Sequence, residues 1–156
     1  MNQGTLMYYT RTAAVLAASG AAALALAAAP AQAATGSVHL YRIYYNSPGT
    51  DTRSGASLDA EYIQIKNTTT RSVSLRGWTV TDASAHKYAF STYTLGAGKT
   101  VTVHTGKGTN TTANRYWGSG NYIWNNDKDT ATLRTSTGAR ASTCSYNSTK
   151  ASYKMC

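Results

Sequence analysis

The side chains that could perform acid–base chemistry are few in this sequence. It has six acidic residues and three histidines. The one glutamate, Glu61, could pair with His39, His86 or His104 as the acid–base site of a small hydrolase. No GxSxG, HExxH or phosphate-loop pattern occurs. Glu61 opens an alternating segment and His104 alternates away from two valines, so we expect both to be surface residues of strands. We expect no enzyme activity and no cofactor.

A second polar group could bind a metal ion. Asn125, Asn126, Asp127 and Asp129 place four oxygen-bearing side chains within five residues, which resembles part of a calcium site. Lys128 lies among them and opposes a divalent cation. Asn and Asp side chains also hydrogen-bond to their own backbone in turns. We expect a turn that joins two strands, with Asp127 and Asp129 as the only metal candidates.

A third group combines positive charge with aromatic rings. Arg115, Tyr116 and Trp117 are consecutive, and Lys107 precedes them in a loop rich in glycine and threonine. Exposed aromatic rings beside basic residues can stack on sugars or on nucleic-acid bases. These four residues are therefore the candidates for a binding surface.

The charge of the chain is strongly positive, at +9. No acid lies between Asp82 and Asp127, and none follows Asp129, whereas eight Lys and Arg residues fall in those gaps. Such a surface would attract polyanions such as wall polymers, acidic lipid headgroups or nucleic acid. Scattered basic residues also suit simple solubility. The sequence favours neither interpretation.

The elements that must position these residues are β-strands. In the segment from Glu61 to Asp82, Ile63 and Ile65 alternate with polar residues, and a second strand carries Trp78, which we expect in the core. Trp124 we expect to cover an end of the fold. Strands recur about every ten residues with glycine or asparagine turns between them, and no helical periodicity follows the N-terminal apolar run. We predict an antiparallel β-sandwich.

The N-terminal segment predicts export. Arg11 is followed by an Ala/Leu-rich run and then by Pro30-Ala31-Gln32-Ala33, which is typical of a signal peptide cleaved between Ala33 and Ala34. Residues 34–156 then form one secreted domain, expected to be a monomer, with no transmembrane segment. Cleavage removes one arginine and leaves a net charge of about +8.

The two cysteines, Cys144 and Cys156, suggest one disulfide in an exported chain. The bond would tie the C-terminal tail, residues 147–156, to the preceding strand. Two free thiols, or a Cys156 that reacts with another molecule, are the alternatives.

Five motifs in order resemble the lamin tail domain family, including secreted bacterial members. They are Ile43–Gly49, Glu61–Asn67, Leu75–Asp82, Leu95–Gly98 and Trp124–Leu133. The resemblance covers residues 38–146 and implies an immunoglobulin-like β-sandwich without a shared catalytic activity. It supports a non-enzymatic binding or attachment module at the cell surface or in the extracellular space. The partner would be a cell-wall or extracellular polyanion, or a surface protein. Nucleic-acid binding is the alternative function, and a small hydrolase the third.

Overall fold

A computed structural model describes Met1 and residues 36–156. The predicted signal peptide, apart from Met1, and the Ala33–Ala34 cleavage site lie outside the described residues. In chain order the elements are β1 (Val38–Tyr44), α1 (Gly55–Ala60), β2 (Tyr62–Asn67), β3 (Val73–Ser74), β4 (Thr79–Thr81), β5 (Lys87–Ala89), β6 (Thr94–Leu95), β7 (Thr100–His104), β8 (Asn114–Tyr116), β9 (Lys128–Arg134), β10 (Arg140–Asn147) and β11 (Tyr153–Met155). No helix among these residues has the length and apolar character that crossing a membrane requires.

The strands form two facing sheets, as the sequence predicts. One sheet has the order β11-β1-β2-β7-β8, the other β10-β9-β4-β5, and β3 pairs with β6 in a short ribbon. The alternating positions Ile63, Ile65, Val101 and Val103 are all fully buried, because period-2 alternation sends one side of each strand inward. The pairings are antiparallel except that β8 runs parallel to β7, which the strand pattern does not predict.

An irregularity in β1 shapes its outward surface. The register between β1 and β2 shifts between Leu40 and Arg42, so that Leu40 and Ile43 both point inward although three positions separate them. Tyr41 and Arg42 between them are both half-buried. A bulge of this kind adds a residue on one strand and re-aims its side chains. The outer side of β1 therefore carries more side chains than strict alternation would give.

The core is filled by different aromatic residues from those expected. Trp124 is 1% exposed and is the largest fully buried side chain, so the expectation that it covers an end of the fold is wrong. Trp78 is only partly buried against the core. Its backbone N–H donates to the Leu75 carbonyl at 2.9 Å, which places it in a tight turn before β4. That turn, which contains Gly77 at a φ of 76°, withdraws Trp78 from the centre.

A short helix lies between β1 and β2, although the sequence shows no helical periodicity after the N-terminal apolar run. The helix α1 begins after Ser54, whose hydroxyl accepts a hydrogen bond from the Ser57 backbone N–H at 3.2 Å. Ser is a favoured residue at this capping position. Leu58 is the buried residue of the helix. Six residues are too few to display a 3.6-residue periodicity, which explains why the pattern did not indicate a helix.

The predicted disulfide is confirmed. The sulfur atoms of Cys144 and Cys156 are 2.06 Å apart and their Cα atoms 5.6 Å. Cys144 lies in β10 of the four-stranded sheet, whereas Cys156 follows β11 of the five-stranded sheet. The bond therefore joins the two sheets at one edge of the sandwich. It also holds the C-terminal tail in the fold, because β11 pairs with β1.

Candidate functional site

The predicted acid–base residue Glu61 is not on the surface. It is 0% exposed, and its Oε1 accepts hydrogen bonds from the Thr105 hydroxyl at 2.6 Å and from the backbone N–H groups of Ile123 and Trp124 at 2.8 and 3.2 Å. The expectation of a surface position is therefore wrong. Glu61 joins the start of β2 to the end of β7 and to the loop that precedes β9.

Burial controls the electrostatics of Glu61. Desolvation raises the pKa of its carboxyl to about 7, against the opposing effect of the three hydrogen bonds. Its second oxygen, Oε2, is buried without a partner among the described residues. This arrangement favours the neutral acid in the folded protein up to about pH 7.

None of the histidines forms a hydrogen bond with Glu61 in the described part of the chain. His104 contacts the Asp59 carbonyl through Nδ1 at 2.7 Å and the Asn114 Oδ1 through Nε2 at 3.0 Å. His86 forms a hydrogen bond with Asp82, with Nδ1 and Oδ2 2.6 Å apart. His104 and His86 therefore make contacts within the fold and not with the Glu61 carboxyl.

The two metal candidates point to different partners. Asp129 is buried, and its carboxylate accepts hydrogen bonds from the backbone N–H groups of Ala83, Thr130 and Asn125 at 2.7–3.2 Å. Asp127 is exposed and accepts from the backbone N–H of the next residue. Within residues 36–156 no group of three or more His, Cys, Asp or Glu side chains converges on a common point. Asp129 stabilises the turn before β9.

The four predicted surface residues do not share one surface. The Arg115 guanidinium lies 4.0 Å from the centre of the Tyr93 ring, on the rim of the sandwich. Trp117 is half-buried and packs against the core. Tyr116 points to the outer side of the five-stranded sheet, and Lys107 is exposed in the preceding loop. Consecutive residues of an extended strand alternate in direction, which separates Tyr116 from its two neighbours.

The outer side of the five-stranded sheet carries a row of five rings that was not predicted from the sequence. Each strand contributes one ring, and each ring is paired in register with the next. Neighbouring ring centres are 5.0–6.1 Å apart. We call this set the aromatic row; in sheet order it consists of Tyr153, Tyr44, Tyr62, His104 and Tyr116.

Two basic side chains lie on the outer face that carries the aromatic row. The Arg42 guanidinium lies 5.2 Å from the centre of the Tyr153 ring, and Lys66 Nζ lies 4.8 Å from the centre of the Tyr41 ring. Such positions favour cations through the negative ring face. The nearby Tyr62 hydroxyl raises the pKa of Arg42. No carboxylate side chain is among the outward-pointing residues of these five strands.

Half of the acidic residues of the chain are buried. Glu61, Asp82 and Asp129 are buried, at 0–6% exposure, and each accepts hydrogen bonds inside the fold. No Lys or Arg of residues 36–156 is buried. Half of the acids therefore place no carboxylate on the surface, and the charged groups that are exposed there are more basic than the composition alone indicates.

The fold and these surfaces define a class of protein: an immunoglobulin-like β-sandwich of a binding or structural kind. The model of the lamin tail domain matches residues 31–148, and the chain belongs to the lamin tail domain family. This confirms the resemblance found in the sequence motifs. No curated protein matches the chain at a significant level.

Proposed function

We propose that the protein is a secreted, non-enzymatic binding module that attaches to an acidic polymer at the cell surface or in the extracellular space. The observation that carries this proposal is the charge of the surface. Three of six acids are buried, while every Lys and Arg of residues 36–156 reaches solvent at least in part. A surface field of one sign raises the local concentration of a polyanion and speeds its association.

Secretion is supported by two features that are independent of the charge. The sequence predicts an N-terminal signal peptide, and the chain contains the disulfide between Cys144 and Cys156. Disulfides persist in oxidising compartments and are rare where thiols are kept reduced. Family membership adds a domain of a binding or structural kind.

The test is retention of the purified protein on immobilised polymers at two salt concentrations. We expect retention on heparin and on acidic wall polysaccharide at about 50 mM salt and release at about 1 M, because salt screens exposed charges. A neutral dextran matrix is the matched control. Retention on the neutral matrix, or on none of the polymers at low salt, would contradict the proposal and would direct the search to a protein partner.

A further inference from the structure

The tyrosines of the aromatic row differ from those of the interior in what their hydroxyls do. The buried Tyr45, Tyr93 and Tyr146 donate to backbone carbonyls at 2.6–3.1 Å. In contrast, the hydroxyls of Tyr44 and Tyr153 make no hydrogen bond to the rest of residues 36–156, and the same holds for Tyr116 in the row. The row therefore presents phenol groups that can both donate and accept.

The faces of the inner rings are already covered. Tyr44 stacks between Tyr62 and Tyr153, with interplanar angles of 21° and 11°. Tyr116 stacks on His104 with an angle of 20°, and Gly108 lies against the Tyr116 ring so closely that a Cβ there would be 2.4 Å from it. A nucleobase needs a free ring face to stack on. The row instead offers ring edges and hydroxyls.

The end of the row at β11 is the most exposed part. Tyr153 is 48% exposed and Met155 39%, and these are the exposed large hydrophobic residues of the region 36–156. Arg42 of the neighbouring strand β1 lies at this end, since its Nε donates to the Met155 sulfur at 3.2 Å. Apolar surface, hydroxyls and a guanidinium thus lie side by side, which suits a ligand that is hydroxylated as well as anionic.

The geometry points to a binding site for an acidic polysaccharide along the aromatic row. This inference rests on the proposed function and names the site and the ligand class for it. The chain of sugars would cross the strands, because the row follows the direction of strand pairing, in which neighbours are about 4.8 Å apart. Arg42 would contact the carboxylate or sulfate groups, Lys66 on the same outer face would attract them from a greater distance, and the phenol hydroxyls would bond to sugar hydroxyls. Charge complementarity selects this occupant, since the face lacks carboxylate side chains.

The first test removes only hydroxyl groups. In the triple variant Tyr44→Phe, Tyr116→Phe and Tyr153→Phe, which removes the three row hydroxyls that have no partner within residues 36–156, the rings and the net charge remain, so we expect the fold to be preserved. We expect affinity for heparin to fall on the order of tenfold, as three modest hydrogen bonds are lost. Tyr88→Phe, a half-buried tyrosine of β5 in the other sheet, is the control and should bind as the parent does. Unchanged heparin affinity in the triple variant would refute the proposed binding site.

The second test separates the site from general charge. Arg42→Gln with Lys66→Gln removes two charges from the outer face, and Arg140→Gln with Lys128→Gln removes two exposed charges from the four-stranded sheet. We expect the first pair to weaken heparin binding by about tenfold or more and the second pair by about twofold or less. Equal weakening by both pairs would overturn the site while leaving the proposed function intact. If the parent protein binds none of the polymers, the proposed function itself is refuted.

The third test compares the proposed ligand class with nucleic acid. Single-stranded DNA of mixed sequence is compared with heparin at the same salt concentration by titration. We expect the DNA affinity to be unaffected by the three Tyr→Phe changes and to follow net charge alone. DNA binding that is tighter than heparin binding and depends on base identity would overturn the choice of an acidic polysaccharide.

Discussion

Replacing Glu61 with glutamine should change how the stability of the protein depends on pH. Burial raises the pKa of Glu61 from its ordinary 4.5 to about 7. Between these values the folded protein keeps a proton that the unfolded chain has released. The stability associated with the neutral carboxyl is thus fully present below about pH 4.5 and is lost as the pH rises through about 7. The Glu61 contribution to unfolding free energy falls by about 3 kcal/mol across this range, since one pKa unit corresponds to about 1.4 kcal/mol.

Glutamine removes this dependence because it does not ionise. Its carbonyl oxygen can still accept from the Thr105 hydroxyl and from the backbone N–H groups of Ile123 and Trp124. Its amide nitrogen takes the place of Oε2, which has no partner among the described residues. An unpaired buried amide costs about 1–3 kcal/mol, and this cost does not change with pH. Glu61→Gln should therefore be only slightly less stable than the parent at pH 5, where the neutral Glu61 also has a group at Oε2 that is unpaired within the described residues, and the difference should reverse by pH 8.

Urea unfolding at pH 5, 6, 7 and 8 measures the effect. Other titrating groups are common to both proteins and cancel in the difference between their unfolding free energies. Asp127→Asn, at an exposed position, is the matched control and should keep the pH dependence of the parent. A difference between parent and Glu61→Gln that stays constant within about 0.5 kcal/mol from pH 5 to 8 would refute the reasoning about a neutral, buried Glu61.

Three further predictions follow from packing. Gly108→Ala places a Cβ 2.4 Å from the Tyr116 ring, so it should displace that ring and weaken heparin binding several-fold, whereas Gly120→Ala, which meets nothing within 4 Å, should leave binding unchanged in the same titration. Cys156→Ser should lower the unfolding free energy by about 2–4 kcal/mol in urea, and equal stability of parent and variant would contradict a structural role for the bond. Trp124→Ala should cost about 3–5 kcal/mol, and a loss below about 1 kcal/mol would show that the core does not depend on it.

The sequence predicted the strands whose burial is regular. In β2 and β7 the isoleucines and valines occupy alternate positions, and all four of them are buried as expected. The disulfide was also predictable, because only two cysteines are present. These features depend on local periodicity or on composition, which can be read without knowing what the strands pack against.

The candidate site was predictable only in part. Tyr44 and Tyr62 can be placed on the outer side of their strands by alternation, but their contact depends on the register between β1 and β2, which includes the shift near Tyr41. Register is set by pairing over long sequence separations and by bulges. The burial of Glu61 depends likewise on backbone donors more than sixty positions away. A single acid before a strand gives no local sign of such donors.

The buried carboxyl and the aromatic row are parts of one arrangement. Glu61 precedes Tyr62, and Thr105 follows His104. Because neighbouring side chains of a strand point to opposite sides, Glu61 and Thr105 point inward while Tyr62 and His104 point outward. The hydrogen bond of 2.6 Å between Thr105 and Glu61 lies beside the registered pair of Tyr62 and His104. The inner contact therefore supports the register that sets the spacing of the outer rings. A rigid row loses little conformational freedom when a ligand binds, which favours affinity. Glu61→Gln keeps the inner acceptor and should preserve heparin binding, whereas Glu61→Ala removes it and should weaken binding together with stability.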